Sequence, residues 1–352
     1  MDINNIEFII EDPKNISADD QLLHYTQERD GVLVTNDVSL KVRAKILGID
    51  TEGYSFEGNY TGVYYLDIST MSREAYDSAL AELNETGQFE CEDHTFSYNE
   101  YLIVAPPDYD ASLGKVSIFR FNGITFDPVK FKTIESQWTD DSSGKIKPRN
   151  PEQICLIDAI LNEENKILYV GGTFGTGKTY CTHHYAINQL EKERIKKIVY
   201  VPNNSYTQNT MDLGALPGDM IEKVQPVIGP LIDIVGIDNV LNWIREEKLE
   251  IVPMAYIRGR NFTNSIVIVS EAENLTEEHI KLLVGRCGEN TRIFFDGDIH
   301  QADSAIFKDR NGLQLLLELH KSPELSKIFS TVQLVRIERS IVAAAADYLD
   351  KI

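Results

Sequence analysis

Gly172 to Thr179 fit the spacing G-x-x-x-x-G-K-[ST], which has a well-understood chemical use. Gly172, Gly175 and Gly177 permit a backbone bend in which successive N–H groups, those of Thr173, Phe174 and Thr176 among them, point inward at phosphate oxygens. Lys178 has the reach to meet β- and γ-phosphates, and the Thr179 hydroxyl is placed to hold Mg²⁺. Further along, Ser270 and Glu271 close an apolar run, the place where a phosphate-binding protein of this kind sets its catalytic acid. Gln153 lies upstream of the glycine loop, and its amide offers a donor and an acceptor suited to an adenine edge. A different chemistry is conceivable near the N-terminus. Asp19, Asp20 and Asp37 could together bind Mg²⁺ or Mn²⁺ as nuclease carboxylates do. Helix capping and a turn at Asn36-Asp37 account for the same three residues more simply.

These side chains need elements to hold them. Residues 167–171 form a short apolar run that predicts a buried strand, and residues 179–190 predict a helix, so the glycine loop sits at a strand-to-helix turn. Residues 197–201, 265–269, 291–296 and 331–336 read as further strands, and Thr276 as the cap of an intervening helix. In open parallel sheets ligands lie outside the carboxyl ends of the strands, so the loop at residues 297–303 is expected to converge on the same nucleotide. Residues 55–138 have a different character: strands at 62–66, 100–104 and 115–119, a helix from Arg73 to Leu83, and many Tyr and Phe among acids. We expect a partial α/β segment over 1–54, a small β-rich module over 55–138, a polar linker over 139–149 and the main domain over 150–352.

The chain has 352 residues and a formal charge of −21, but residues 143–352 hold 24 basic against 28 acidic residues, so a locally basic groove there remains compatible with the composition. Cys91, Cys155, Cys181 and Cys287 lie far apart without a C-x-x-C pair, which favours reduced thiols over a zinc site or a disulfide framework. The sequence shows neither a bilayer-spanning run nor signal character at Met1-Asp2-Ile3, so a soluble, cytoplasmic chain with no membrane partner is expected.

Asn150-x-x-Gln153, Gly172 to Thr179, Leu213-Gly-x-Leu-Pro-Gly-Asp219, Tyr256-x-Arg258-Gly-Arg260, Glu271-Ala-x-Asn274 and Gly297-Asp298-x-x-Gln301 occur in that order, with Arg339 near the end. This combination resembles the ATPase core of PhoH-like proteins, related to superfamily 1 helicases, over roughly residues 145–350. Residues 19–48 are similar to the second half of a PIN ribonuclease domain, whose first half, with its first metal-binding aspartate, has no counterpart here.

The resemblance implies an α/β P-loop NTPase (RecA-like) fold, with a mostly parallel sheet and helices on both faces. It also implies ATP and Mg²⁺ as cofactors, RNA or single-stranded nucleic acid as partner, and a homo-oligomer that could be a hexameric ring. Glu271 would polarise the attacking water and Gln301 would sense the γ-phosphate. Arg339, Arg258 and Arg260 are candidate arginine fingers, and Thr179, Ser270 and Asp298 surround the metal. The family pattern carries Asp where Ser270 stands and Gln where Glu273 stands. A hydroxyl is a weaker partner for hydrated Mg²⁺ than a carboxylate, so slow turnover is expected. The rival readings are a nucleotide-binding switch with little turnover and a degenerate PIN-type ribonuclease.

Overall fold

A computed structural model describes residues 18–29, 31–34, 43–44, 47–52, 60–66, 73–91, 94–105, 116–202, 228–299 and 312–338. The chain divides into two compact units, residues 1–59 and 60–352. In the first, helix α1 (Ala18–Glu28) accompanies strands β1 (Leu33–Val34) and β2 (Thr51–Glu52), which pair in parallel. Leu23, Leu33, Ala44 and Ile49 form its small core. Asp37 lies outside the described residues, and of the Asp19 and Asp20 side chains nothing is described, so the nuclease-like cluster lies outside what the structure describes.

The second unit opens with β3 (Val63–Leu66), α2 (Arg73–Thr86), β4 (Tyr101–Val104), β5 (Ser117–Phe121) and β6 (Phe126–Pro128). These strands form one sheet in the order β3-β4-β5-β6. The polar stretch 139–149, expected as a linker, carries strand β8 (Lys145–Ile146), which pairs antiparallel with β7 (Ile134–Glu135). Ile146 is buried in one cluster with Tyr101, Ile103, Ile118 and Leu156, so packing runs continuously across it.

Helix α3 (Pro151–Leu161) then leads to β9 (Ile167–Gly171), the glycine loop, α4 (Lys178–Glu191) and β10 (Lys197–Val201). After residues 203–227, which are not described, come α5 (Gly229–Val235), α6 (Ile237–Arg245), β11 (Leu249–Ile251), β12 (Ser265–Val269), α7 (Glu277–Val284), β13 (Arg292–Gly297), α8 (Gly312–Leu317) and β14 (Phe329–Gln333). Six strands make an all-parallel sheet in the order β11-β10-β12-β13-β9-β14. Period-two alternation divides its side chains between two cores. Leu168, Val170, Ile198, Tyr200, Ile266, Ile268 and Phe294 face α3, α4 and α5 residues; Tyr169, Val199, Val201, Val267, Val269, Ile293 and Phe295 face those of α7 and α8. Burial on both faces is why these strands read as continuous apolar runs.

Two strands of the six-stranded sheet depart most from expectation. The last strand is shifted toward the N-terminus: Phe329 and Ser330 pair with Ile167 and Leu168, while the chain beyond Leu334 leaves the ladder and turns to the glycine loop. Strand β11 was not expected, because three residues at a sheet edge give too short an apolar run to read.

The β14 edge is covered by the module. Gln333 donates its N–H to the Thr61 carbonyl at 3.0 Å, and Gly62, at φ 72°, runs so close that a Cβ would lie 1.9 Å from the Thr331 carbonyl oxygen. Asn99 donates to Asn165 Oδ1 at 2.9 Å and the Phe329 carbonyl at 3.1 Å. Buried Asp158 of α3 accepts from Tyr101, Arg120 and Lys132. Past the same C-terminal end of α3, buried Arg292 donates to the carbonyls of Ile160, Asn162 and Asn165, satisfying acceptors that a helix end leaves open.

Helix α4 buries two adjacent histidines, His183 and His184, the latter bonded to Ser136 Oγ at 2.7 Å. Burial pushes both imidazoles down to about 4. An unfolded histidine takes up its proton near pH 6.5, so stability is full above that value and falls as pH drops toward 4. Each imidazole should therefore remove about 2 kcal/mol of unfolding free energy between pH 7 and 5. In His184→Gln, which keeps a partner for Ser136, urea denaturation should show that loss reduced by one histidine's share; an unaltered pH slope would refute the linkage.

Candidate nucleotide-binding site

The glycine loop follows β9 and runs into the N-terminus of α4, which Gly177 caps without a side-chain hydrogen bond. Gly172, Gly175 and Gly177 take φ values of 139°, 81° and 97°, in the left-handed half of backbone space that glycine alone enters cheaply. At Gly172 a Cβ would sit 2.4 Å from the Leu334 carbonyl oxygen, so the loop is packed on the chain leaving β14. Thr176, fully buried, donates its hydroxyl to the Thr173 carbonyl at 2.8 Å. Phe174 is partly exposed at the loop's tip. Together these contacts hold the turn in a shape whose amides and helix N-terminus form an anion cradle.

Lys178 lies over the loop: its Nζ donates to the carbonyls of Gly172 at 2.5 Å and Thr173 at 2.9 Å, and stands 4.0 Å from Asp296 Oδ1. Thr179 donates its hydroxyl to Asp296 Oδ2 at 2.5 Å. Asp296 is buried near the end of β13, the strand directly beside β9, in register with Val170. Burial raises its carboxyl above the ordinary value, opposed by Lys178 and the Thr179 hydrogen bond. The sequence reading missed Asp296. The signal was available, since an acid closing a buried strand is what singled out Ser270-Glu271.

Ser270 and Glu271 follow β12, one strand farther from the loop. The Ser270 N–H donates to the Val201 carbonyl at the end of β10 at 3.1 Å, and burial pushes the phenol of neighbouring Tyr200 up to about 12. Glu271 is exposed and adopts φ 53° and ψ 51°, an uncommon left-handed conformation for a non-glycine residue. Such strain gathers at functional sites. Glu271 opens a short turn, Ala272–Asn274, that lies close to Gly297, where a Cβ would meet Glu273 Oε2 at 2.4 Å. Glu273 is buried and accepts from the Asp298 N–H at 3.2 Å. Burial raises its carboxyl to about 7, partly offset by backbone hydrogen bonds and reinforced by Glu271 and Asp296. Asp298 is likewise buried at this end of the sheet.

Gln153 is buried, and its amide is engaged within the chain: Nε2 donates to the Thr176 carbonyl at 2.9 Å, and Oε1 accepts from the Arg149 N–H at 2.9 Å. It buttresses the loop in this conformation, and an adenine could be met only by exchanging those bonds. Glu338 adds a second brace, which residue type and spacing do not single out. Its N–H donates to the Gly175 carbonyl at 2.9 Å, and its carboxylate accepts from Asn150 Nδ2 at 2.7 Å. Arg258 and Arg260 are not brought to the loop. Arg260 pairs with Glu250 on β11, at the sheet edge four strands from β9, and Arg258 is exposed beside it. Gln301, Arg339 and residues 213–219 lie outside the described residues.

A parallel sheet with a glycine loop at the carboxyl end of β9, a lysine and a threonine opening α4, and acids ending two neighbouring strands defines a P-loop NTPase fold. Residues 145–347 match the PhoH-like protein family, and the chain belongs to it. It is 28% identical over 356 residues to Protein PhoH2 of Bacillus subtilis (strain 168), covering 96% of this chain and 76% of that one. To Protein PhoH of Escherichia coli (strain K12) it is 35% identical over 167 residues, 46% of each chain. A solved Pif1 helicase from Candida albicans matches with a TM-score of 0.31 at 14% identity, over 57% of this chain and 43% of that one.

Proposed function

We propose that this chain binds ATP with Mg²⁺ and hydrolyses it, coupling turnover to RNA or single-stranded nucleic acid. The observation that carries the reading is the meeting of Lys178, Thr179 and a buried carboxylate at the mouth of the glycine loop. Lys178 would exchange its two loop carbonyls for β- and γ-phosphate oxygens, while the N–H groups of α4 take the phosphates from below. Among the described residues no cluster of three or more His, Cys, Asp or Glu could hold a metal ion. A divalent ion would share Thr179 with the phosphates themselves, and this hard-oxygen set suits Mg²⁺. Its contribution is Lewis-acid neutralisation of charge developing on the phosphates.

Glu271, which follows β12 in a left-handed backbone conformation, would orient the attacking water in line with the γ-phosphate. Gln301 reads the γ-phosphate. Arg339 acts as finger. Arg258 and Arg260, at the far sheet edge, suit a nucleotide on a neighbouring subunit of a homo-oligomer better than the chain's own. The nucleic-acid partner rests on the resemblance to superfamily 1 cores and on the near-balanced charge of residues 143–352. Phosphate release, measured with and without RNA, single-stranded DNA and duplex, should depend on Mg²⁺ and rise severalfold with one single-stranded partner. Tight ATP binding with no release under any condition would replace this reading with that of a nucleotide switch.

A further inference from the structure

We infer that Asp296, on β13, is the carboxylate that completes the divalent-cation site of this P-loop, the role that Ser270 on β12 leaves unfilled; the inference rests on the nucleotide-binding reading above. Four observations converge on it. The Thr179 hydroxyl gives its single proton to Asp296 Oδ2 at 2.5 Å, which keeps the hydroxyl oxygen's lone pairs available to a cation. Strand β13 is the immediate neighbour of the P-loop strand, with Asp296 opposite Val170, whereas β12 stands one strand away. Ser270 is tied to β10, on the side away from β9, by its N–H bond to the Val201 carbonyl at 3.1 Å. Finally, buried Asp296 has Lys178 as its counter-charge at 4.0 Å, and a bound triphosphate would draw that ammonium to itself. A buried carboxylate stripped of its cation is costly, and a divalent ion beside Thr179 restores the balance. The carboxylate has thus moved from the end of one strand to the end of the next while still serving the same threonine.

The test compares titrations of a fluorescent ADP analogue in magnesium and in EDTA, on the full chain. In the wild type, magnesium should tighten binding by about tenfold or more. Asp296→Asn should lose that gain, so that its affinities in magnesium and in EDTA differ by less than about threefold. Adding Ser270→Asp to Asp296→Asn should recover most of the gain, because the carboxylate is returned from the neighbouring strand. Electron paramagnetic resonance of Mn²⁺ with ADP and protein should show the bound-metal signal weakened in Asp296→Asn and restored in the double variant. Thermal unfolding checks each fold, with Asp296→Ser as the substitute if the asparagine variant does not fold. A full magnesium gain in Asp296→Asn, or equal losses in magnesium and in EDTA, overturns the assignment but not the nucleotide site. A wild-type chain that binds no nucleotide in either buffer overturns both.

Discussion

Lys178→Ala should lower nucleotide affinity by about 100-fold or more and bring phosphate release to background, since two charge-assisted phosphate contacts are lost together. The effect is electrostatic as well as local. Without the ammonium, Asp296 loses the counter-charge that stands 4.0 Å from it, and Glu271 and Asp298 lie at the same end of the sheet. A triphosphate would then approach a site of like charge. The fold should survive, because alanine is the best helix former at the opening of α4 and the carbonyls of Gly172 and Thr173 can take water instead. Fluorescent-nucleotide titration beside a thermal melt separates the two effects. Wild-type affinity in a folded Lys178→Ala protein would remove the P-loop from the functional reading.

Glu271→Gln should do the opposite to binding and the same to turnover. Glutamine matches glutamate in size and can hold the same left-handed backbone, but it cannot polarise water as a carboxylate does. Hydrolysis should fall by about 10²–10³-fold. ATP affinity should stay level or rise a few-fold, since one negative charge has left the surroundings of the phosphates. Single-turnover measurements report the chemical step and equilibrium titration reports binding. An unchanged hydrolysis rate in this variant would assign the water to another residue and leave the strain at position 271 without a catalytic account.

Much of the chemistry was legible in the linear chain because it is local. The glycine loop, its lysine and its threonine are contiguous, and the turn they form depends on backbone freedom at Gly172, Gly175 and Gly177, which residue type alone reports. Strands β10 and β12 have the expected bounds, since parallel strands buried on both faces are unbroken apolar runs. Thr276 caps α7 as expected, with His279 completing a capping box. The two strands whose bounds were not legible lie at the sheet's edges, where the apolar signal is shorter or is partly supplied by the covering module.

Strand order was a different kind of question. Periodicity shows that a segment is buried, but it carries no record of which segment lies beside it. That β13 stands between the P-loop strand and β12 brought Thr179 to Asp296, 117 residues away, and left Ser270 bonded through its N–H to Val201 of β10. In the same way tertiary packing occupied the Gln153 amide with the loop, paired Arg260 with Glu250 and fixed the module to α3 through Asp158. Composition and spacing alone were enough to specify a phosphate cradle. Which carboxylate serves that cradle was decided by the ladder of a parallel sheet, because hydrogen bonds between strands set neighbours that distance along the chain does not encode.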